Sequence, residues 1–158
     1  MVSARESAGS VPDPEFPALT IADLGILRDV RERDGEVTVT ITPTYSGCPA
    51  MAQIAVELRR RLAEAGYREV VIRTELSPPW TTDWITPDGR RKLAEAGIAP
   101  PPERAGPVRV TLGTRPAVPC PRCGSQDTRE AARFSGTACK ALYQCRACLE
   151  PFEHVKEH

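Results

Sequence analysis

Residues 37–66 read VTVTITPTYSGCPAMAQIAVELRRRLAEAG, and the spacing of their apolar side chains changes partway along. At first, threonines alternate with apolar residues, which predicts a strand with one buried face. Over 49–65 the apolar residues recur every three or four positions, which predicts an amphipathic helix. Gly66 is a natural C-terminal stop for that helix. A strand that leads directly into a helix is therefore the centre of the predicted fold.

The flanking sequence extends this strand and helix into a mixed domain. Residues 25–43, GILRDVRERDGEVTVTITP, predict two strands joined by a turn at Asp34-Gly35, a pair favoured in hairpins. Four further elements are predicted: a short helix ending near Gly25, a strand at 67–76, a short helix at 86–97 and a strand at 106–112. This order predicts an α+β fold, a small two-layer α/β domain with helices covering one face of a sheet.

The composition excludes several classes of protein. The chain carries no formal net charge, so nothing favours binding to nucleic acid or to a membrane surface. It has no run of about 18 apolar residues, and its start lacks the apolar core of a signal peptide. We therefore predict a cytoplasmic protein, whose reduced thiols favour metal binding over disulfides.

Sixteen prolines mark loops and boundaries along the chain. They divide it into a small, polar tail at 1–12, which is predicted to be disordered, an α/β domain at 13–113 and a cysteine-rich region at 114–158.

The cysteine-rich region holds a strong metal-binding motif. Two C-x-x-C pairs are separated by 21 residues, and their members are Cys120, Cys123, Cys145 and Cys148. Two such turns complete a tetrahedron of thiolates, which suits structural zinc, and four thiolates also accept iron. About 40 residues bury too little apolar surface to fold unaided, so a metal would stabilise this zinc ribbon. LYQC and PFEHV are its predicted strands.

Other candidate ligands in the ribbon are left over once those four cysteines are assigned. Cys139 is interpreted as a spare thiol, with a substitute ligand or a second redox-active group as alternatives. His154 and His158 are predicted to be solvated. Residues 120–158 carry six Lys or Arg against five Asp or Glu, without a basic cluster. This balance favours a structural or protein-contact role over nucleic-acid binding.

Cys48 stands apart from the other cysteines, at the predicted start of the helix. Free N–H groups and the helix dipole favour an anion there, so the thiol pKa is predicted to fall and thiolate to become available. Pro49 fits the first helical position. The alternative is a small apolar residue packed under the turn. The two histidines lie far along the chain, at 154 and 158, which weighs against a Cys–His hydrolase.

Two further patterns offer candidate functional residues. Asp13 and Glu15 in DPE provide carboxylates that can share a metal with a thiolate, and a simple turn is the alternative. Trp80 and Trp84 frame WTTDW in a proline-rich loop. These two are interpreted either as caps on the core or as anchors for a partner, since Trp is favoured at interface hot spots.

Three segments together give the sequence a family resemblance. DPEFPALTIADLGILRDV (13–30), TPTYSGCPAM (42–51) and LSPPWTTDWI (76–85) resemble the PaaD-like branch of the metal–sulfur cluster biosynthesis family, related to SufT. The cysteine-rich region is similar to the C-terminal extension of that branch. The resemblance covers residues 12–155 of this sequence.

The resemblance implies an iron–sulfur assembly-type α/β domain associated with aerobic phenylacetate degradation. In that pathway the phenylacetyl-CoA ring-epoxidising complex needs a di-iron oxygenase and an iron–sulfur flavin reductase. The resemblance implies an accessory protein that helps to mature or maintain these metal centres. Carried over onto this sequence, the family motif residues are Asp13, Glu15 and Cys48, with Thr44, Ser46 and Gly47 shaping the loop.

The leading hypothesis is a non-enzymatic accessory factor, because the sequence lacks di-iron bundle ligands and a flavin or nicotinamide fingerprint. Cys48 would bind iron or an iron–sulfur cluster transiently, with Asp13 and Glu15 near it, while the ribbon stabilises the chain and docks to a client. A homodimer would let two Cys48 thiolates share one cluster. The alternatives are a thiol or persulfide transfer enzyme, with Cys139 as resolving thiol, and a purely structural subunit of the complex.

Overall fold

The computed structural model describes residues 2–103 and 117–158. The chain forms two compact units, Met1–Gly89 and Arg90–His158. The division between them falls earlier than the domain boundary predicted after residue 113. That predicted boundary and the strand predicted at 106–112 lie outside the described residues. The helices and strands that are described confirm the α+β class.

In the first unit the described elements are α1 (Ala4–Gly9), β1 (Leu27–Arg33), β2 (Glu36–Ile41), α2 (Ala50–Glu64), β3 (Glu69–Thr74) and a short 3-10 helix at Thr82–Trp84. Helix α3 (Pro87–Glu95) follows, and the chain continues with β4 (Ile98–Ala99), β5 (Thr128–Ala132), β6 (Lys140–Cys145) and β7 (Pro151–Val155). Within the described ranges, no helix is long and apolar enough to cross a membrane.

Strands β1 and β2 form the predicted hairpin. They pair antiparallel across a turn at Asp34 and Gly35. Both turn residues have positive φ, 52° and 86°, as a type I′ turn requires. The predicted buried face of β2 is confirmed, because Val37, Val39 and Ile41 are all at most 1% exposed.

Helix α2 connects β2 to its second neighbour in the sheet. Strand β3 pairs with β2 in parallel, which requires a crossover such as a helix, and the sheet order is β1-β2-β3. The predicted apolar face of α2 is confirmed at Ile54, Leu58 and Leu62, which are at most 1% exposed. Gly66, with a φ of 98°, follows the helix at its predicted stop. Contacts of α1 with β1 and α2, and of α2 with β3, complete a two-layer arrangement.

Residues 4–9 form helix α1, where the sequence analysis predicted a disordered tail. Ser3 and Glu6 form a capping box, in which each side chain accepts a hydrogen bond from the other residue's backbone N–H. Ala4 and Ala8 are buried, so the apolar face of α1 is made of side chains too small to give a strong hydrophobic pattern.

The helix predicted to end near Gly25 is a series of turns instead. The Asp13 carboxylate accepts hydrogen bonds from the backbone N–H groups of Glu15 and Phe16, and the Asp23 carboxylate accepts one from Thr20. Such local hydrogen bonds compete with those of a regular helix.

The second unit contains a four-stranded sheet in the order β4-β7-β6-β5. The segments predicted as ribbon strands, LYQC and PFEHV, lie in β6 and β7, which pair antiparallel. The buried apolar cluster of this unit consists of Ala99, Val118, Cys120, Cys145 and Phe152. Two of the predicted metal ligands therefore belong to the core.

Gly25 is constrained both by its backbone conformation and by a close neighbour. Its φ is +69°, and a Cβ atom added there would lie 2.5 Å from the Trp84 carbonyl oxygen. We expect Gly25→Ala to lower the free energy of unfolding by about 2–5 kcal/mol, because a strained φ adds to a clash with backbone atoms. Urea unfolding measures this loss.

Gly66→Ala is the matched control, because φ is +98° there and the described residues place no further atom within 4 Å of the added Cβ. It should cost about 1 kcal/mol, from the backbone conformation alone. Equal losses in the two variants would contradict the role given to the Trp84 contact.

Candidate thiol site and four-cysteine metal centre

Cys48 lies in the turn that leads from β2 to α2. Its N–H donates to the Tyr45 carbonyl oxygen at 3.2 Å, and its own carbonyl oxygen accepts from the Met51 N–H at 3.3 Å. Pro49 is the N-cap of α2 and not its first helical residue, so the helix begins one residue later than predicted. The Cys48 residue is 9% exposed, so its thiol is largely shielded from water.

Burial raises the pKa of the Cys48 thiol above its ordinary value. The Ala50 N–H at the start of α2 lowers that pKa, as the sequence predicted, but its effect is smaller than that of burial. The Glu15 carboxylate raises the pKa further. The predicted fall in the thiol pKa is therefore wrong, because burial shifts the pKa of Cys48 upward instead.

The structure brings Glu15 and Cys48 close enough for the carboxylate to act on the thiol. Asp13 has a different place. It is 3% exposed, and its Oδ1 accepts hydrogen bonds from the Glu15 N–H at 2.8 Å and the Phe16 N–H at 2.9 Å. Asp13 therefore stabilises the turn that presents Glu15.

Thr44 contributes a buried hydroxyl beside the thiol. Its Oγ1 atom is buried, and the hydroxyl lowers the pKa of Cys48 through its interaction with the thiol. Tyr45 also lowers the thiol pKa through its side chain, a role that the sequence analysis missed. Ser46 and Gly47 lie exposed in the same turn.

The reactivity of Cys48 tests this account of the thiol. We expect iodoacetamide at about pH 8 to alkylate Cys48 more slowly than free cysteine, because only the thiolate reacts. Glu15→Gln should accelerate the reaction, since it removes a charge that raises the Cys48 pKa. Mass spectrometry of the Cys48 peptide measures the rate. Glu69→Gln, at an exposed position, is the control. Equal alkylation rates of Cys48 in Glu15→Gln and Glu69→Gln would contradict the proximity of Glu15 to Cys48.

The four predicted ligands of the ribbon come together in the second unit. Their sulfur atoms lie within 4.8 Å of one another, with 3.8 Å between Cys120 and Cys148 and 3.6 Å between Cys123 and Cys145. Tetrahedral coordination with metal–sulfur bonds of about 2.3 Å places sulfurs about 3.8 Å apart, so the cluster fits one zinc or iron ion. The Cys148 N–H lies 3.5 Å from the Cys145 sulfur and lowers that thiol's pKa, which favours the thiolate a metal needs.

Cys139 and His154 lie outside this cluster. Cys139 is buried, with its sulfur 3.1 Å from the Thr137 hydroxyl, as expected for a spare thiol. The prediction of a solvated His154 is wrong, because the residue is 6% exposed. Its Nδ1 lies 3.1 Å from the Ala99 carbonyl oxygen, and its ring meets the Tyr143 ring edge-on. Strands β4 and β6 flank β7 and account for this burial.

The two candidate docking tryptophans have different surroundings. Trp80 is 6% exposed, and its indole N–H donates to the Leu24 carbonyl oxygen at 2.8 Å, so it caps the core. Trp84 is partly exposed, with the Arg28 guanidinium carbon 3.5 Å from its ring centroid. Only Trp84 of this pair offers substantial surface to a partner.

Removal of one ribbon cysteine should release the metal and destabilise the second unit. We expect Cys120→Ser to do so, because binding to four thiolates contributes directly to folding. Elemental analysis and thermal unfolding of zinc-loaded protein measure both effects. Cys139→Ser is the matched control and should keep about one ion per chain. Full metal content in Cys120→Ser would contradict its assignment as a ligand.

Two protein families match separate parts of the chain. Residues 6–71 match a family described as iron-sulfur cluster assembly protein, and residues 104–156 match the PaaD zinc beta ribbon domain. Fold and sites together thus define an assembly-type α+β domain followed by a four-cysteine ribbon.

A relative that spans most of the chain specifies the family. The chain is 44% identical over 146 residues to a protein of Escherichia coli K12 that is named as a putative subunit of 1,2-phenylacetyl-CoA epoxidase, and the match covers 92% of this chain and 86% of that protein. The chain belongs to the PaaD family. It is also 36% identical over 78 residues to the Fe-S protein maturation auxiliary factor SufT of Staphylococcus aureus, covering 48% of this chain and 88% of that protein.

A solved structure agrees with the fold. The crystal structure of a domain of unknown function, DUF59, from Bacillus anthracis is 25% identical in sequence, with a TM-score of 0.54. The match covers 57% of this chain and 87% of the Bacillus anthracis chain. The predicted assembly-type fold is confirmed.

Proposed function

We propose that this chain is a non-enzymatic accessory protein that helps to mature or maintain iron or iron–sulfur centres of a phenylacetyl-CoA ring-epoxidising complex. The observation that carries the proposal is the effect of the Glu15 carboxylate on the pKa of the Cys48 thiol at the start of α2, in a chain that matches an iron–sulfur assembly family. Relatives named as an epoxidase subunit and as a maturation factor support it.

The donor groups around Cys48 suit transient binding of iron as cargo. A thiolate and a carboxylate both bind iron, and a metal that binds a thiol displaces its proton. Cys48 and Glu15 would leave most coordination positions of iron open, so release to a client would be easy. Asp13 would act indirectly by holding Glu15, while Thr44, Ser46 and Gly47 would shape the loop.

The ribbon cysteines suit a resident metal instead. Four thiolates fill a tetrahedral coordination sphere and leave no position for a substrate, which is typical of structural zinc. We propose zinc at this site. We also propose that the chain acts in the cytoplasm, with the oxygenase and iron–sulfur reductase components as its partners. The homodimer stays a prediction.

Thiol or persulfide transfer is less well supported by the site. Such a reaction needs a nucleophilic thiolate, whereas burial and the Glu15 carboxylate both raise the pKa of Cys48. This weighs against Cys48 as an exchanging nucleophile.

Cys48→Ser tests the proposed function. It should leave folding and ribbon metal intact and abolish maturation of the epoxidase components, because it removes the soft ligand for iron. Anaerobic reconstitution with iron and sulfide, followed by iron counts and visible absorption, compares wild type, Cys48→Ser and Cys120→Ser. Cys139→Ser is the control that removes a thiol elsewhere.

Three outcomes would contradict the proposal. If Cys48→Ser activates the oxygenase and the reductase as well as the wild-type chain does, iron delivery through this thiol is excluded. A persulfide trapped on Cys48, with turnover, would favour a transfer enzyme. Stoichiometric co-purification with the complex, indifferent to Cys48→Ser, would favour a structural role within it.

A further inference from the structure

The open face of the first sheet carries four arginines. Side chains alternate along β2, so the residues between its buried valines lie on the opposite face of the sheet. On that face is a groove of about 390 Å³. We call its four arginines, which are Arg28, Arg31, Arg33 and Arg73, the arginine face.

A β-bulge places Arg28 on this face. The pairing of β1 with β2 shifts register, with Leu27 opposite Ile41 and Asp29 opposite Thr40. Arg28 is therefore the extra residue, and both it and Asp29 line the groove. If side chains alternated strictly along β1, either Arg28 or Asp29 would face the core. Bulges commonly redirect side chains in this way.

Three contacts hold arginines of this face, and the exposed pair of Arg33 Nε with the Asp34 carboxylate, at 3.8 Å, is the loosest. Arg28 stacks on Trp84, with 3.5 Å between its guanidinium carbon and the ring centroid, a cation–π contact. Asp29 binds the Nε of Arg31 at 2.6 Å. Among the described residues no other partner engages Arg31, and Arg73 makes no ion pair. The face therefore presents N–H donors that the chain itself does not use.

We propose that the arginine face docks an acidic segment of the client protein that receives the iron, an inference that rests on the proposed function. Guanidinium groups match carboxylates with paired hydrogen bonds, which favours acidic side chains as the ligand. The three carboxylates that also line the groove are Asp29, Glu36 and Glu75. They would repel the dense charge of nucleic acid or polyphosphate more strongly than the more widely spaced carboxylates of an acidic protein segment.

Binding of the purified oxygenase and reductase components to the full chain, with its ribbon metal in place and no iron added, tests this docking. The double variant R31E/R73E should weaken binding of the true client at least tenfold and flatten its dependence on salt, because rim charges act through long-range attraction. The matched control is R59E/R68E, which makes the same charge change at exposed positions outside the groove and should stay within about twofold of wild type.

The outcomes separate docking from iron delivery. Equal weakening by both double variants, or no binding of wild type to either component, would overturn the docking proposal. Arginine-dependent binding of single-stranded DNA or arginine-dependent self-association, without client binding, would also overturn it. R31Q/R73Q, which keeps the side chains polar, should give an intermediate affinity and guards against a folding defect. If Cys48→Ser binds the client normally but does not mature it, docking and iron delivery are separate steps. If Cys48→Ser matures the client normally, iron delivery through Cys48 is refuted and the docking proposal is unaffected.

Discussion

Burial of the apolar face of β2 is the interaction on which the first unit depends. Val37, Val39 and Ile41 are almost fully buried, and each such side chain contributes about 1.5–3 kcal/mol relative to exposure. Parallel pairing of β2 with β3 requires a crossover, and α2 supplies it with its own buried face. The turn that carries Cys48 is therefore fixed at one end by a strand and at the other by a helix.

The same burial decides the chemistry of Cys48. The start of α2 donates an N–H to the thiol, but the exclusion of water opposes a charge there more strongly. The Glu15 carboxylate adds a repulsion that a nearby positive charge would offset. A metal cation would supply that charge and stabilise thiolate and carboxylate together.

Local signals predicted much of the structure, and non-local burial explains what they missed. The Asp34-Gly35 turn, the period of α2 and the spacing of the ribbon cysteines each need only neighbouring residues. The Cys48 pKa, the burial of His154 and the packing of Trp80 depend on distant segments. Helix α1 was missed although Ser-x-x-Glu signalled its capping box, because its buried side chains are alanines. Glu15 was proposed from its motif, whereas its effect on the pKa of Cys48 depends on the fold.

The chain places thiols in two environments with opposite consequences for a metal. In the ribbon, four sulfurs complete a coordination sphere and a backbone N–H favours thiolate, so a metal bound there is retained. At Cys48, in the proposed function, one thiol and one carboxylate would form an incomplete set of ligands, and burial raises the pKa of the thiol that would lose its proton to a metal. An incomplete set binds weakly unless a client completes it. An accessory protein of this kind therefore gains from a separate docking surface, since a docked client can supply the missing ligands and receive the metal in one encounter.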